Sequence, residues 1–319
     1  MQRLLGVVLM VVLLYGILMG IHEGARTASN QGTIADRLGF YGILTIGAGV
    51  LIVSGGIDLS IGSVVGLGAV TFALLLRKQV APWQAAVLVT LGGAFIGLIH
   101  GLLVTRLRLQ PFLVTLCGLF IYRGLARWAS GGSIGLNDAP PAMHESINSL
   151  RHILYSDSFF GLPHQFLLLL LLTVLLTILL HATKYGRYLY AIGANEDAAR
   201  YAGIATNGYK VLAYVICSAL AGLASVLYLL ENRTVNPTSA GSWLELYAIT
   251  GAVLGGCSLR GGEGTIPGMF LGAAVLPLLR QLCNFGGITN ELEYAVIGFA
   301  LLLGTIIDEV LKRRAARRA

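Results

Sequence analysis

Seven consecutive residues, Ser54-Gly55-Gly56-Ile57-Asp58-Leu59-Ser60, set a carboxylate between two uncharged apolar runs, 40–53 and 61–76. A charge in such surroundings is expensive and marks a functional site by default. Asp58 has two uses open to it: a ligand for a solute crossing a membrane, or the acceptor that ties a sharp turn. Gly55 and Gly56 allow that turn, or the close approach of another helix. Other ionisable groups in or beside apolar runs are Arg123, Arg127, Glu245, Arg280, Glu293 and Asp308. Arg123 and Arg127 lie one helical turn apart and share a face. Pairing with Glu245 or Glu293, or snorkelling to an interface, is the favoured reading of both over direct contact with a substrate. The chain has no ladder of apolar-embedded carboxylates, which argues against an ion-coupled secondary transporter.

Uncharged polar groups are the better guides to a path for a hydroxylated solute. Ser63, Thr115, Asn236, Thr250 and Asn284 are the candidates, with Ser54, Ser60 and Thr71 beside them. The competing reading is that such hydroxyls bond back to their own helix. Catalytic chemistry finds no support. Gly261-Gly262-Glu263-Gly264 lacks the Gly-Lys-Ser/Thr of a nucleotide-binding loop, and HExxH is absent. The six histidines lie far apart, and His100, in the middle of an apolar run, reads as a packing residue. Cys117, Cys217, Cys257 and Cys283 are single and scattered, as small buried hydrophobes are. Neither a metal nor a cofactor is expected.

The elements that must hold these residues are membrane helices. Of 319 residues, 56% are hydrophobic and 12% charged, against about 25% charged in soluble domains. Apolar runs extend over the whole length, so 1–319 reads as one all-α membrane domain. Ten spans are predicted, at 4–20, 39–53, 59–76, 84–105, 112–128, 166–181, 211–230, 243–257, 266–284 and 291–311, the second and eighth short. The first reads as an uncleaved span in preference to a signal peptide. Ten crossings put both termini on one side. Arg3, Arg106, Arg108, Lys184, Arg187, Arg200, Lys210, Arg260 and the cluster at 312–318 fall on that side; Arg26, Arg37, Arg77, Lys78, Arg151 and Arg233 fall on the other. The excess makes the termini cytoplasmic. The net charge of +7 is thereby accounted for by loop anchors, without nucleic acid.

Three connections stand out. The outer loop, 130–165, is polar and rich in turn residues, which fits an ordered cap that receives a partner, or a plain connection. The inner loop, 182–210, is the longest on its side and amphipathic. Asn195 or Asp197 can cap a short helix over 197–201, and Gly203 can end it. Such a helix is either a handle for a soluble partner or an interfacial anchor. The turn at 254–268 carries Gly255-Gly256 and Gly261-Gly262-Glu263-Gly264, with Thr265 placed to cap the next helix and Pro267 in its first turn. It echoes the 54–63 turn, as in the duplicated architecture of many transporters.

Three pieces of this sequence resemble the membrane permeases of bacterial sugar ABC importers, of the ribose, xylose, arabinose and galactose type. They are Ser54-Gly55-Gly56-Ile57-Asp58-Leu59-Ser60-Ile61-Gly62-Ser63; Gly186-Arg187 with Ala191-Ile192-Gly193-Ala194-Asn195, Ala198-Ala199-Arg200 and Ala202-Gly203-Ile204; and Gly255-Gly256, Gly261-Gly262 and Gly264-Thr265-Ile266-Pro267-Gly268. The likeness runs from about residue 39 to the end. Glu263 departs from the Arg or Val common there, and the outer loop matches loosely, which leaves the sugar open. The resemblance implies a multi-pass, non-catalytic subunit of the bacterial inner membrane, paired with a second copy or a homologue. It implies a cytoplasmic ABC ATPase and a periplasmic or lipid-anchored sugar-binding protein as partners. It makes 182–210 the ATPase-coupling loop, with Arg187, Gly193, Asn195, Asp197, Ala198 and Gly203 as its contacts.

The expected function is ATP-driven import of a monosaccharide by alternating access. The rivals are an ABC permease for a nucleoside, polyol or sugar-derived signal, and an ATP-independent secondary transporter. The charge ladder moves Ser54, Gly55, Gly56, Asp58 and Ser60 to the cytoplasmic end of two spans. There they read first as a rigid turn at the inner gate, with Asp58 or Ser60 capping the third span, and second as a solute contact.

Overall fold

The computed structural model describes residues 2–156, 158, 159, 161–289, 292, 295, 296, 298, 299 and 302. The chain is built from helices α1 (Gln2–Ile21), α2 (Ala28–Val53), α3 (Ile61–Arg77), α4 (Pro82–Thr105), α5 (Pro111–Ser130), α6 (His144–Arg151), α7 (His164–Thr177), α8 (Lys184–Ala194), α9 (Glu196–Tyr201), α10 (Thr206–Asn232), α11 (Leu244–Leu254) and α12 (Ile266–Phe285). Six of the described segments are long and apolar enough to cross a membrane: α2, α4, α5, α7 with the π turn after it, α10 and α12. The apolar helices α1, α3 and α11 are shorter. Nine of the ten predicted spans thus fall on helices; the tenth, 291–311, lies almost wholly outside the described residues, as does the basic cluster at 312–318.

Helix α2 is the centre. Thr27 starts it by accepting a hydrogen bond from the Asn30 amide. From Leu38 to Val53 every residue is buried, under α7, α10, α11 and α12. A helix apolar on all sides can sit only in such a position. The second span was expected to be short and to begin at 39, and that is corrected: α2 runs 26 residues from Ala28. Asp36 and Arg37 interrupt the apolar run, but Arg37 pairs at 2.9 Å with Glu231 of α10. The eighth span is short as expected, since α11 has 11 residues.

Small residues set the helix spacing. At the α11–α12 crossing, Gly255 packs on Gly268 and Gly272 on the Gly251 carbonyl. The segment 130–165 is ordered. Its strand β1 (Ile134–Gly135) pairs antiparallel with β4 (Thr234–Val235), and β2 (Ser158–Phe159) with β3 (Leu162–Pro163). Ile134, Leu136, Ile147 and Leu150 bury against Phe72 and Leu76 of α3 and Leu229 and Leu230 of α10. It closes that end of the bundle.

A side-chain carbon at residue 272 would fall 2.6 Å from the Gly255 nitrogen and 2.9 Å from its Cα. Backbone cannot yield as a side chain can, so Gly272→Val should cost about 1–3 kcal/mol. The thermal-unfolding midpoint in detergent should drop, while Gly124→Ala, with nothing within 4 Å of an added Cβ, should leave it unchanged.

Candidate functional site

The turn after α2 is tied inward. Ser54 Oγ donates to the Leu51 carbonyl at 2.6 Å, Gly55 turns the chain at φ 80°, and the Gly56 amide returns to Leu51 at 3.1 Å. Asp58, 2% exposed, then points into the bundle. Its Oδ1 accepts from the Ser60 amide at 2.7 Å and from Ser60 Oγ at 2.6 Å. Its Oδ2 accepts from Ser218 Oγ of α10 at 3.4 Å and lies 3.8 Å from His100 Nδ1 of α4. The far nitrogen of that ring, Nε2, sits 2.9 Å from Tyr122 OH of α5. One carboxylate therefore fastens the turn to the region where α4, α5 and α10 come closest to it.

Asp58 accepts from Ser60, the residue just before α3, and bonds no amide within the helix itself. Ser60 stands at the helix start without a side-chain cap bond, because its hydroxyl is committed to Asp58. His100 is a packing residue on its Tyr122 side, but its other face meets a carboxylate. Neither Tyr122 nor Ser218 carries a sequence signal of that relation.

The three glycine-rich pieces meet at one place. Gly262 N–H donates to the Val53 carbonyl at 2.9 Å. Gly193, near the end of α8, packs on that carbonyl and on Gly262, while Gly261 rests on Gly55 and on the Gly193 carbonyl. Gly261 and Gly262 have φ 89° and 72°, which other residues adopt only with strain. Tyr190 OH of α8 donates to the Gly264 carbonyl at 2.7 Å, and burial pushes its phenol up to about 12. The signature turn, the inner loop and the 255–268 turn are thus one junction.

Helix α9 projects from it. Asn195 caps it, its side chain accepting from the Ala198 amide at 2.9 Å, and Gly203 (φ 81°) closes it. Asp197 is left exposed in the first turn. Thr265 caps α12 as expected, with Pro267 in the first turn. Arg187, Asn195, Asp197, Ala198 and Gly203 are exposed and Ala199 is buried; Tyr201 is 93% exposed. Glu196 holds α9 to α10, accepting from Lys210 at 2.7 Å and from Arg200 at 3.2 Å. Burial opposes the Glu196 charge, but the Lys210 bond and Arg200 outweigh it and keep the carboxyl below its ordinary value.

The five residues proposed for a path are not gathered. Ser63 and Thr115 are buried on α3 and α5, their hydroxyls donating to the carbonyls of Ser60 and Pro111. Asn236 is exposed and folds its own turn, accepting from the Thr238 amide. Thr250 is half-buried on α11, and Asn284 is exposed at the end of α12. Arg280 of α12 donates to Tyr41 OH at 2.5 Å and Tyr247 OH at 3.3 Å. Arg123 is half-buried and Arg127 exposed. Arg123 makes no ion pair with Glu245, and Glu293 lies outside the described residues.

Helices separated by glycine turns inside a polytopic bundle, with a short helix standing off one junction, fit the architecture of a membrane transport subunit. The chain belongs to the family described as the permease component of the branched-chain amino acid transport system, whose profile matches residues 30–305. The ribose import permease protein RbsC of Bacillus subtilis is 32% identical over 84% of this chain and 80% of its own length. RbsC of Escherichia coli is 30% identical over 93% of this chain and 91% of its own. The autoinducer 2 import system permease protein LsrD of Klebsiella pneumoniae is 32% identical over 85% of this chain and 80% of its own. No solved structure matches the chain. These relatives make it an ABC importer permease of the sugar type.

Asp58→Ala would strand the Ser60 amide and the hydroxyls of Ser60 and Ser218, at about 1–3 kcal/mol for each buried group left unmade. Its unfolding midpoint in detergent should fall well below that of Asp58→Asn, which keeps one acceptor oxygen. The folded Glu196 lies below its ordinary value of ~4.3, so its tie is complete above that pH and is lost as pH falls through the folded value. Amide exchange in α9, corrected for intrinsic rates, should therefore rise under acid before that in α4 does.

Proposed function

We propose that the protein is the translocating subunit for a monosaccharide, a ribose-like pentose or a hexose, in an ATP-driven importer of the bacterial inner membrane. The observation that carries this reading is the junction where Gly193, Gly262 and Val53 meet, considered with the similarity to ribose import permeases. An exposed helix rooted on a gate-forming turn is a lever: force on α9 passes through backbone packing into α2 and α3. In this reading a cytoplasmic ATPase grips Arg187, Asn195, Asp197, Ala198 and Gly203. ATP binding and hydrolysis then move the junction, and two bundles rock about a central path.

The remaining expectations complete the picture. Ten crossings put both termini in the cytoplasm, with 54–60 at the inner gate and 130–165 outside, facing a periplasmic or lipid-anchored binding protein. A second copy or a homologue supplies the other half of the pore, and this subunit catalyses no covalent step. Ser63, Thr115, Asn236, Thr250 and Asn284 border the path, the Ser63 and Thr115 hydroxyls bonding back to their own helices. A sugar-derived signal is a second reading, favoured by the similarity to autoinducer 2 permeases.

Affinity capture of the tagged protein should recover an ABC ATPase. Proteoliposomes holding the full complex should import the sugar only with ATP and a hydrolysis-competent partner. Uptake without any ATPase would overturn the proposal. Gly193→Ala sets a methyl against backbone at Val53 and Gly262, and should lower uptake about tenfold or more, the equivalent of ~1.4 kcal/mol. Capture of the ATPase should persist.

A further inference from the structure

Asp58 is held in two ways. Within its own turn, Oδ1 accepts from the Ser60 amide and hydroxyl at 2.7 and 2.6 Å. Toward the rest of the bundle, Oδ2 faces Ser218 Oγ at 3.4 Å and His100 Nδ1 at 3.8 Å. The first pair are short, strong bonds; the His100 distance is beyond hydrogen-bond reach. The turn is thus tight within itself and slackly docked against α4 and α10. On its other side it meets the glycine junction, where Gly261 rests on Gly55 and the Gly262 amide bonds the Val53 carbonyl at 2.9 Å. Those are backbone contacts, which cannot yield by a change of rotamer.

A displacement entering from the junction must therefore carry 54–60 as a body and be taken up on the slack side. His100 of α4 is the group that stands there. It is 1% exposed, and its ring is fixed from the far side. Nε2 lies 2.9 Å from Tyr122 OH of α5, and the Tyr214 ring of α10 meets the imidazole edge-on at 6.5 Å. A side-chain carbon at Gly118 would fall 2.8 Å from Nε2, so α5 closes that side. A neutral imidazole facing a carboxylate keeps its proton on the nearer nitrogen, which leaves Nε2 to accept from Tyr122 OH. A doubly protonated ring also presents Nδ1–H to Asp58. Either way a donor points at Oδ2, and among the described residues Nδ1 has no hydrogen-bond partner.

We infer that His100 is a positioning residue for the turn at 54–60, its Nδ1–H taking up Asp58 Oδ2 in one state of the transport cycle and releasing it in the other. This rests on the permease reading above. A shift of about 1 Å closes the pair to the length of a charge-assisted bond, and packed helices slide by that much in switching transitions. The closed bond ties the turn through the imidazole to Tyr122, so that α5 follows the turn.

The test uses the complete complex of permease, ATPase and binding protein in proteoliposomes. Import of radiolabelled D-ribose, D-xylose and D-galactose is measured beside receptor-stimulated ATP hydrolysis. Two substitutions divide the ring: Asn places an amide donor near the position of Nδ1, and Gln near that of Nε2. His100→Gln should lower maximal import roughly tenfold or more, the worth of a hydrogen bond to a charged group. ATP hydrolysis should fall less, so that ATP spent per sugar moved rises, and His100→Asn should recover most of the import. The double variant His100→Gln, Asp58→Asn should import no worse than the poorer single variant, because both changes break one contact. Unchanged import in His100→Gln, or losses that add in the double variant, overturn the inference. So do equal losses of import, ATP hydrolysis and unfolding midpoint in the Gln and Asn variants, which make His100 a packing residue. Amide exchange over 54–62 gives a readout that packing alone would not move. In the wild type it should differ between the nucleotide-free complex and the complex trapped with ATP and vanadate, and in His100→Gln that difference should vanish. A difference that persists in the variant overturns the inference. A wild-type complex that imports none of the sugars overturns the sugar reading alone, and the exchange comparison, which needs no transported solute, then decides the role of His100.

Discussion

Inside a bilayer no water is available to a stranded polar group, so every buried donor and acceptor must be met by protein or by cargo. The Asp58 carboxylate is where that constraint is met most fully. Two of its bonds come from Ser60, two residues on, and one from Ser218 on a distant helix. The local bonds shape the turn, and the distant one fixes where the turn sits. Without an acid at 58, the Ser60 amide at the start of α3 would lose its acceptor deep in the bundle. With it, the chain can break there and remain rigid.

Glycine provides the second constraint, acting through contact distance. Gly193, Gly255, Gly261 and Gly262 bring backbone against backbone. Such contacts have no side chain to adjust, so a displacement of α8 must be shared by the turns it touches. Interfaces of this kind move as units. Under the proposed function, that is how the junction would pass force from α9 to α2 and α3. By contrast, the 130–165 segment is packed through branched apolar side chains, a surface suited to holding one end of the bundle in place.

The apolar runs made the span helices legible, because hydrocarbon cores demand uninterrupted hydrophobic length. The start of α2 was lost to the same rule: Asp36 and Arg37 look like a boundary until Glu231, almost 200 residues away, is known to answer Arg37. Caps were legible too. Asn195, Gly203, Thr265 and Pro267 act on neighbours within a few residues, so their chemistry is written locally. The surroundings of Asp58 were not, since His100, Tyr122 and Ser218 reach it only through tertiary packing. Hydroxyls at 63 and 115 suggested a path by type alone, but type cannot reveal that each has already found a carbonyl in its own helix.

The helices that begin inside the bundle explain why two carboxylates stand so close to one helix start. α3 and α11 both start at sharp turns, and a helix start leaves amide hydrogens unpaired and a positive end of the dipole exposed. Asp58 answers this at α3 through Ser60. Glu245 lies beside the next residues of the same turn, its carboxylate against Gly62. The two carboxylates thus come to the same helix start from distant parts of the chain: Asp58 secures the break before α3, and Glu245, at the start of α11, packs on Gly62 in the first turn of that helix.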